Sequence, residues 1–134
     1  MRKVCMAILS LALALSIGVA GTVAAHARLS YINMTTTVLS VSSGQATCVG
    51  SVSGYKGTTT KVVITLHLER KLASSSTWTT FASDPAKTFN DWTGTYQMKK
   101  TVTSGYQYRV RAVYTAFAGS ASETLTGYSS VVSF

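Results

Sequence analysis

His67 and Glu69 lie two residues apart, a spacing that puts both side chains on one face of a β-strand. An imidazole beside a carboxylate is part of many zinc sites, but such a site needs at least three protein ligands. The other histidine, His26, lies in a segment that we expect to be removed, and Cys48 is expected to face the core. We therefore predict that His67 and Glu69 are a solvent-facing pair and that the protein holds no metal.

Acidic groups that could act as a catalytic pair are scarce. After residue 27 the chain has four acidic residues, each in a different segment: Glu69, Asp84, Asp91 and Glu123. Glycoside hydrolysis needs two carboxyl groups flanking one bond. Asp84 and Asp91 flank one loop, where we interpret both as turn residues. The chain also lacks a nucleophile elbow, a glycine-rich phosphate loop and a dinucleotide fingerprint. We predict that it is not an enzyme and uses no cofactor.

Aromatic side chains are better candidates for a function. Seven aromatic residues are more than a small core can bury if several of them point outward. They are Trp78, Trp92, Tyr96, Tyr55, Tyr114, Phe117 and Tyr128. Exposed Trp and Tyr rings stack on sugars or anchor protein interfaces, because they bury a large area at low entropy cost. Trp78 lies in a short segment typical of an edge strand, and Trp92 follows a loop. We predict that these two rings bind a ligand; packing on the core or on a sheet face is the alternative.

The first 27 residues have the layout of a secretory signal peptide. They open with two basic residues, continue with an apolar run of about 17 residues and end in the triplet Ala25-His26-Ala27. We predict an N-terminal signal helix that is cleaved after Ala27, with Ala25 as the alternative site. Residues 28–134 then form one domain, secreted by a bacterium and without a stable membrane anchor.

The charge balance favours a solvated surface that keeps the domain soluble, and it also biases the domain toward anionic surfaces. The whole chain has 12 basic and 4 acidic residues and a net charge of +8. Because Arg2 and Lys3 lie in the leader, residues 28–134 keep ten basic and four acidic residues, a net charge of +6. The basic residues are scattered, which argues against nucleic acid. Extracellular glycans, cell-wall polymers or proteins are the expected partners.

Cys48 is the only cysteine left after cleavage. It lies in a strand-like stretch whose even-numbered positions would share one face. Free cysteine is among the most buried residue types. We predict a thiol packed in the core, with a disulfide between two molecules as the alternative.

Alternating Val, Ile, Thr and Tyr, broken by Gly and Ser clusters, predicts an all-β domain. The third strand, for example, would place Val62, Ile64, Leu66 and Leu68 on one buried face. Seven strands are predicted: 31–41, 45–53, 60–71, about 78–82, 91–102, 106–117 and 124–134. Seven antiparallel strands with these turn signals are typical of a sandwich of two sheets.

The stretch from Val102 to Ala112 contains an aliphatic residue, a turn ending in Gly105, and then Tyr106-Gln107-Tyr108 followed by alternating apolar residues. It resembles the corner between the fifth and sixth strands of fibronectin type III and related immunoglobulin-like domains. The resemblance implies a seven-stranded antiparallel sandwich in which Tyr108 is the corner tyrosine, its ring packed and its hydroxyl bonded to nearby backbone.

The whole chain also resembles small, secreted, single-domain bacterial proteins, for which no active site is known. These features together predict a non-catalytic extracellular binding module. A structural or self-assembling extracellular protein is one alternative, and a cationic secreted antagonist is another.

Overall fold

The computed structural model describes residues 20–25 and 29–134, which contain ten β-strands and no helix. For Ala20–Ala25 it describes the backbone only. The strands are β1 (Ala20–Ala25), β2 (Met34–Ser42), β3 (Gln45–Ser53), β4 (Lys61–Lys71), β5 (Thr79–Ser83), β6 (Lys87–Phe89), β7 (Thr93–Thr101), β8 (Gln107–Ala118), β9 (Ala121–Tyr128) and β10 (Val132–Ser133). Apart from residues 20–25, the predicted signal helix lies outside the described residues.

The strands form two antiparallel sheets, in agreement with the predicted all-β class. One sheet has the order β1-β2-β3-β7. In the other, β4 and β8 pair at the centre, β5 and β6 share the outer edge of β4, and β9 and β10 share the outer edge of β8. The two sheets contact each other across a common apolar core, an arrangement consistent with a β-sandwich.

Strict alternation along β4 and β8 builds the centre of that core. Val62, Ile64, Leu66 and Leu68 of β4 are fully buried, as the sequence predicts. The even-numbered residues of β8 from Tyr108 to Ala116 are fully buried as well. These two strands therefore have one face in the core and the other turned outward.

The two sheets approach each other closely at Gly50 of β3. A Cβ atom at this position would lie 2.8 Å from Leu66 Cδ2 and 2.9 Å from the Tyr114 hydroxyl. That hydroxyl donates a hydrogen bond to the Thr36 carbonyl at 2.9 Å and lies 2.7 Å from the Thr37 hydroxyl. Only glycine leaves room for this buried polar contact between the two sheets.

The prediction of seven strands is wrong, because residues 29–134 contain nine. The predicted seventh strand, 124–134, is divided at Ser129 into β9 and β10. Opposite Val110, Ser129 makes the hydrogen bonds that a strand residue would otherwise make. Its amide donates to the Val110 carbonyl at 2.9 Å, and its hydroxyl accepts from the Val110 amide at 2.8 Å.

The other additional strand, β6, follows Pro85, where the sequence predicts only a loop. β5 pairs with the second half of β4, so β6 can pair with the first half, from Val62 to Ile64. The predicted first strand also begins later than expected, at Met34. The amides of Ser30, Tyr31 and Ile32 donate to the Glu123 carboxylate at 3.1, 2.7 and 2.8 Å instead of entering a ladder.

Tyr108 has the contacts that the corner resemblance implies. Its ring is fully buried, its hydroxyl donates to the Thr103 carbonyl at 2.6 Å, and the same oxygen accepts from the Thr103 amide at 3.0 Å. Gly105 has a φ of +94°, which permits the turn before this tyrosine.

Cys48 is fully buried in β3, and burial raises the pKa of its thiol to about 12.

Candidate ligand-binding face

The outward face of the six-stranded sheet carries charged and aromatic side chains at one end. The strand register places Ser83, His67, Arg111 and Tyr128 in one row across four strands. Glu69 and Arg109 pair in the next row. Six side chains form what we call the outer-face cluster: His67, Glu69, Trp78, Arg109, Arg111 and Tyr128.

Glu69 is at the centre of the cluster and is not solvent-facing, which corrects the sequence prediction. It is only 7% exposed, and its two carboxylate oxygens accept hydrogen bonds from two different arginines. Arg109 Nε lies 2.8 Å from Oε1, and Arg111 Nε lies 2.9 Å from Oε2. The buried carboxylate is thus fully paired, and it holds both guanidinium groups in place.

These contacts explain the ionisation of Glu69. Burial by itself raises the pKa of a carboxyl group, because it disfavours the charged form. Here the hydrogen bonds and positive charges of Arg109 and Arg111 outweigh burial, so the pKa of Glu69 is lowered. The cluster therefore contains a carboxylate anion and two guanidinium cations at neutral pH.

Arg109 also contacts two aromatic rings. Its guanidinium carbon lies 4.4 Å from the centroid of the Trp78 ring and 4.5 Å from that of Tyr128. Both distances are within the range of cation–π attraction. Trp78 is half-buried and Tyr128 is 42% exposed, so the two rings remain accessible at the surface on either side of the strand that carries Arg109.

Lys71 adds a third cation and ties the cluster to the turn before β5. Its ammonium group lies 5.5 Å from the centroid of the Trp78 ring and donates to the Ser75 carbonyl at 2.9 Å. Ser75 belongs to the serine-rich turn that the sequence predicts. Contacts with Lys71 and Arg109 thus orient the side chain of Trp78, which lies outside any strand.

His67 is bonded to the neighbouring strand. Its Nδ1 lies 2.7 Å from the Ser83 hydroxyl. Burial and the charge of Arg111 lower the pKa of His67, against the opposing effect of Glu69. His67 is therefore neutral at physiological pH and adds no charge to the cluster.

The structure separates the two predicted ligand-binding tryptophans. Trp78 precedes Thr79, which pairs with Arg70 near the end of β4. Trp92 precedes Thr93, which pairs with Ser53 at the end of β3 in the other sheet. Because residues 54–60 join the end of β3 to the beginning of β4, the two rings are at opposite ends of the domain. One flat ligand cannot bind both.

Two other sequence candidates have structural contacts. Asp91 accepts a hydrogen bond from the Trp92 amide at 2.7 Å, as a turn residue does. Asp84 pairs with Lys100 at 2.5 Å. Tyr114, one of the aromatic candidates, is fully buried and has no access to a ligand.

Within the described part of the chain, no group of three or more His, Cys, Asp and Glu is arranged to hold a metal ion.

The sequence analysis did not include Arg109 and Arg111 among the candidate residues, although both belong to the outer-face cluster. A signal was present, since the two arginines alternate with core residues in the Arg-Val-Arg of β8 and must share its outward face. The sequence does not show which strand pairs with β8, nor in which register, so it did not bring Glu69 between them.

Comparison with known proteins adds no further assignment, because no family model, curated protein or solved structure matches this chain significantly. A search of the described residues finds no helix with the length and apolar character needed to cross a membrane.

Proposed function

We propose that this protein is a secreted, non-catalytic binding module that recognises a glycan or cell-wall polymer through the outer-face cluster. The observation that carries the proposal is the contact of Arg109 with both Trp78 and Tyr128 over a buried, fully paired Glu69. Such contacts pre-organise accessible aromatic rings, which lowers the entropy lost when a ligand stacks on them.

We further propose a fibronectin type III-like class for the domain. Two features support it. The strands β2, β3 and β7 face a sheet in which β5, β4, β8 and β9 are adjacent, and β7 leads into β8 through the Tyr108 corner. Domains of this architecture place ligand sites on loops or on sheet faces, so the class is compatible with binding and does not by itself specify a ligand.

The test is binding of the full-length chain to insoluble glycans and to isolated bacterial cell walls in a pull-down. Trp78→Ala is expected to abolish binding while the circular dichroism spectrum stays that of a β-protein. Trp92→Ala is the matched control, since it removes the same side chain at the other end of the domain. Loss of binding in Trp92→Ala alone would move the ligand site to the four-stranded sheet. Loss of folding in Trp78→Ala would make its ring a structural element.

Self-assembly through strand edges is a second candidate, favoured by one observation. The outer edge of β2 pairs along six residues with Ala20–Ala25, which lie within the predicted leader. Cleavage after Ala27 would leave this edge open, and open edges favour pairing with another chain. Sedimentation of the chain with and without residues 1–27 tests this candidate, because assembly should appear only in the shorter form.

A further inference from the structure

The hydrogen bonds of Glu69 leave the ends of both arginines unused. The carboxylate accepts from Nε of Arg109 and from Nε of Arg111, and within residues 29–134 neither guanidinium makes another hydrogen bond. Each guanidinium therefore keeps its two terminal Nη groups, which together offer four N–H donors. Glu69 fixes where these groups lie without occupying them.

The charge of this region is positive in spite of Glu69. Arg109, Arg111 and Lys71 contribute three positive charges and Glu69 one negative charge, while His67 is neutral. Guanidinium groups bind carboxylate and phosphate with two parallel hydrogen bonds, so a pair held side by side is suited to an anionic group.

The rest of the outward face favours a saccharide chain over a nucleic acid. Beyond His67 the rows contain Thr65, Val113 and Thr126, then Val63, Thr115 and Thr124. The next cation along β4 is Lys61, six residues from His67, or roughly 20 Å at the rise of a β-strand. A nucleic acid needs cations that follow its backbone, whereas a sugar polymer needs one aromatic ring and hydroxyl partners.

We propose that the outer-face cluster binds an anionic saccharide polymer. A sugar ring lies against Trp78, and the phosphate or carboxylate of the polymer is held by the Nη groups of Arg109 and Arg111. This inference rests on the proposed function and specifies the chemistry of its ligand.

Two matched pairs of polymers test the proposal: phosphomannan against neutral mannan, and polygalacturonate against its fully methyl-esterified form. The full-length chain carrying W92F has Trp78 as its only tryptophan, so the fluorescence change in a titration reports on the site itself. We expect at least one charged polymer to bind about tenfold more tightly than its neutral partner at low salt. The preference should shrink as the salt concentration rises. Which pair shows it identifies phosphate or carboxylate as the bound group.

Arg111→Gln should reduce affinity for the charged polymer to that for its neutral partner. Arg111→Lys, which keeps the charge but not the planar fork, should give an intermediate affinity. Lys61→Gln is the matched control: it removes the same charge from the same face at the other end, and should keep the full preference.

Three outcomes would overturn the inference: equal affinity for charged and neutral polymers, the same loss in Lys61→Gln as in Arg111→Gln, or equally tight binding of single-stranded DNA. If neutral polymers still bind and depend on Trp78, the proposed function stands without this inference. If none of the four polymers binds, this inference fails, and the pull-down with insoluble glycans and bacterial cell walls decides the proposed function separately.

Discussion

The two faces of strands β4 and β8 differ in how they use the same backbone. The inward face contains aliphatic residues, Tyr108 and Tyr114, and the hydroxyls of both tyrosines are bonded to backbone. The outward face contains Glu69, Arg109 and Arg111 at one end and threonine and valine rows beyond them. The inward face should therefore determine stability, and the outward face should determine recognition.

The largest effect is expected from Gly50→Ala. The new methyl group would lie 2.8 Å from Leu66 Cδ2 and 2.9 Å from the Tyr114 hydroxyl, so these two fully buried side chains would have to shift within a packed core. Overpacking of this kind should lower the free energy of unfolding by about 3 kcal/mol. Urea denaturation measures it, with Ser51→Ala, the next residue of β3, as a nearly neutral control. An unchanged midpoint for Gly50→Ala would show that the sheets are less closely packed here.

Cys48→Ala should have the next largest effect. Removing a fully buried thiol group leaves a small cavity, at a cost of about 1–2 kcal/mol. In a Cys5→Ala background Cys48 is the only thiol. Because burial raises its pKa to about 12, it should react with a thiol reagent only after denaturation. Rapid labelling of the native protein would contradict the core position.

Glu69→Ala tests the outward face and should cost less, about 1 kcal/mol. The side chains of Arg109 and Arg111 are 25% and 29% exposed, so water can solvate both guanidinium groups once the carboxylate is gone. Thermal unfolding gives the stability change, and Trp78 fluorescence in a W92F background reports whether the ring loses its fixed environment. A loss as large as that of Gly50→Ala would remove the division between the two faces.

The smallest effect is a pH dependence from His67. Its pKa is lowered in the folded state, so the unfolded chain takes up a proton first as the pH falls. The contribution of a neutral His67 to stability is complete above about pH 6.5 and is lost as the pH falls from there through the lowered pKa of the folded state. The unfolding midpoint of His67→Gln, measured from pH 8 to pH 5, should fall less than that of the wild type. Parallel curves would show that His67 titrates normally.

Much of the inward face was accessible from local pattern. The alternation in the third predicted strand correctly indicated which residues of β4 are buried. Cys48 was predicted to lie in the core because it occupies an even-numbered position in a strand-like stretch whose even-numbered residues share one face. The Val102–Ala112 stretch led to the hydroxyl contacts of Tyr108 through its resemblance to a known corner. Each of these depends on the side-chain period of a strand or on a short turn, and both are properties of neighbouring residues.

The errors have a different origin. Glu69 was expected to face solvent because its strand position alternates with core residues, and two arginines 40 and 42 residues away bury and pair it. The break at Ser129 was missed because it depends on hydrogen bonds to Val110, 19 residues earlier. Trp78 and Trp92 were considered together because both are aromatic, and the sheet order separates them.

Composition and alternation alone were enough to determine an all-β chain with few groups able to do chemistry. Only the tertiary structure brings the residues of the outer-face cluster together, because the pairing of strands decides which side chains distant in sequence are in contact. Arg109 and Arg111 of strand β8 each bind one carboxylate oxygen of Glu69. The turn before β5 places Trp78 beside Arg109. The alternation within a single strand cannot predict this cluster, since the cluster is stabilised by contacts between residues far apart in the chain.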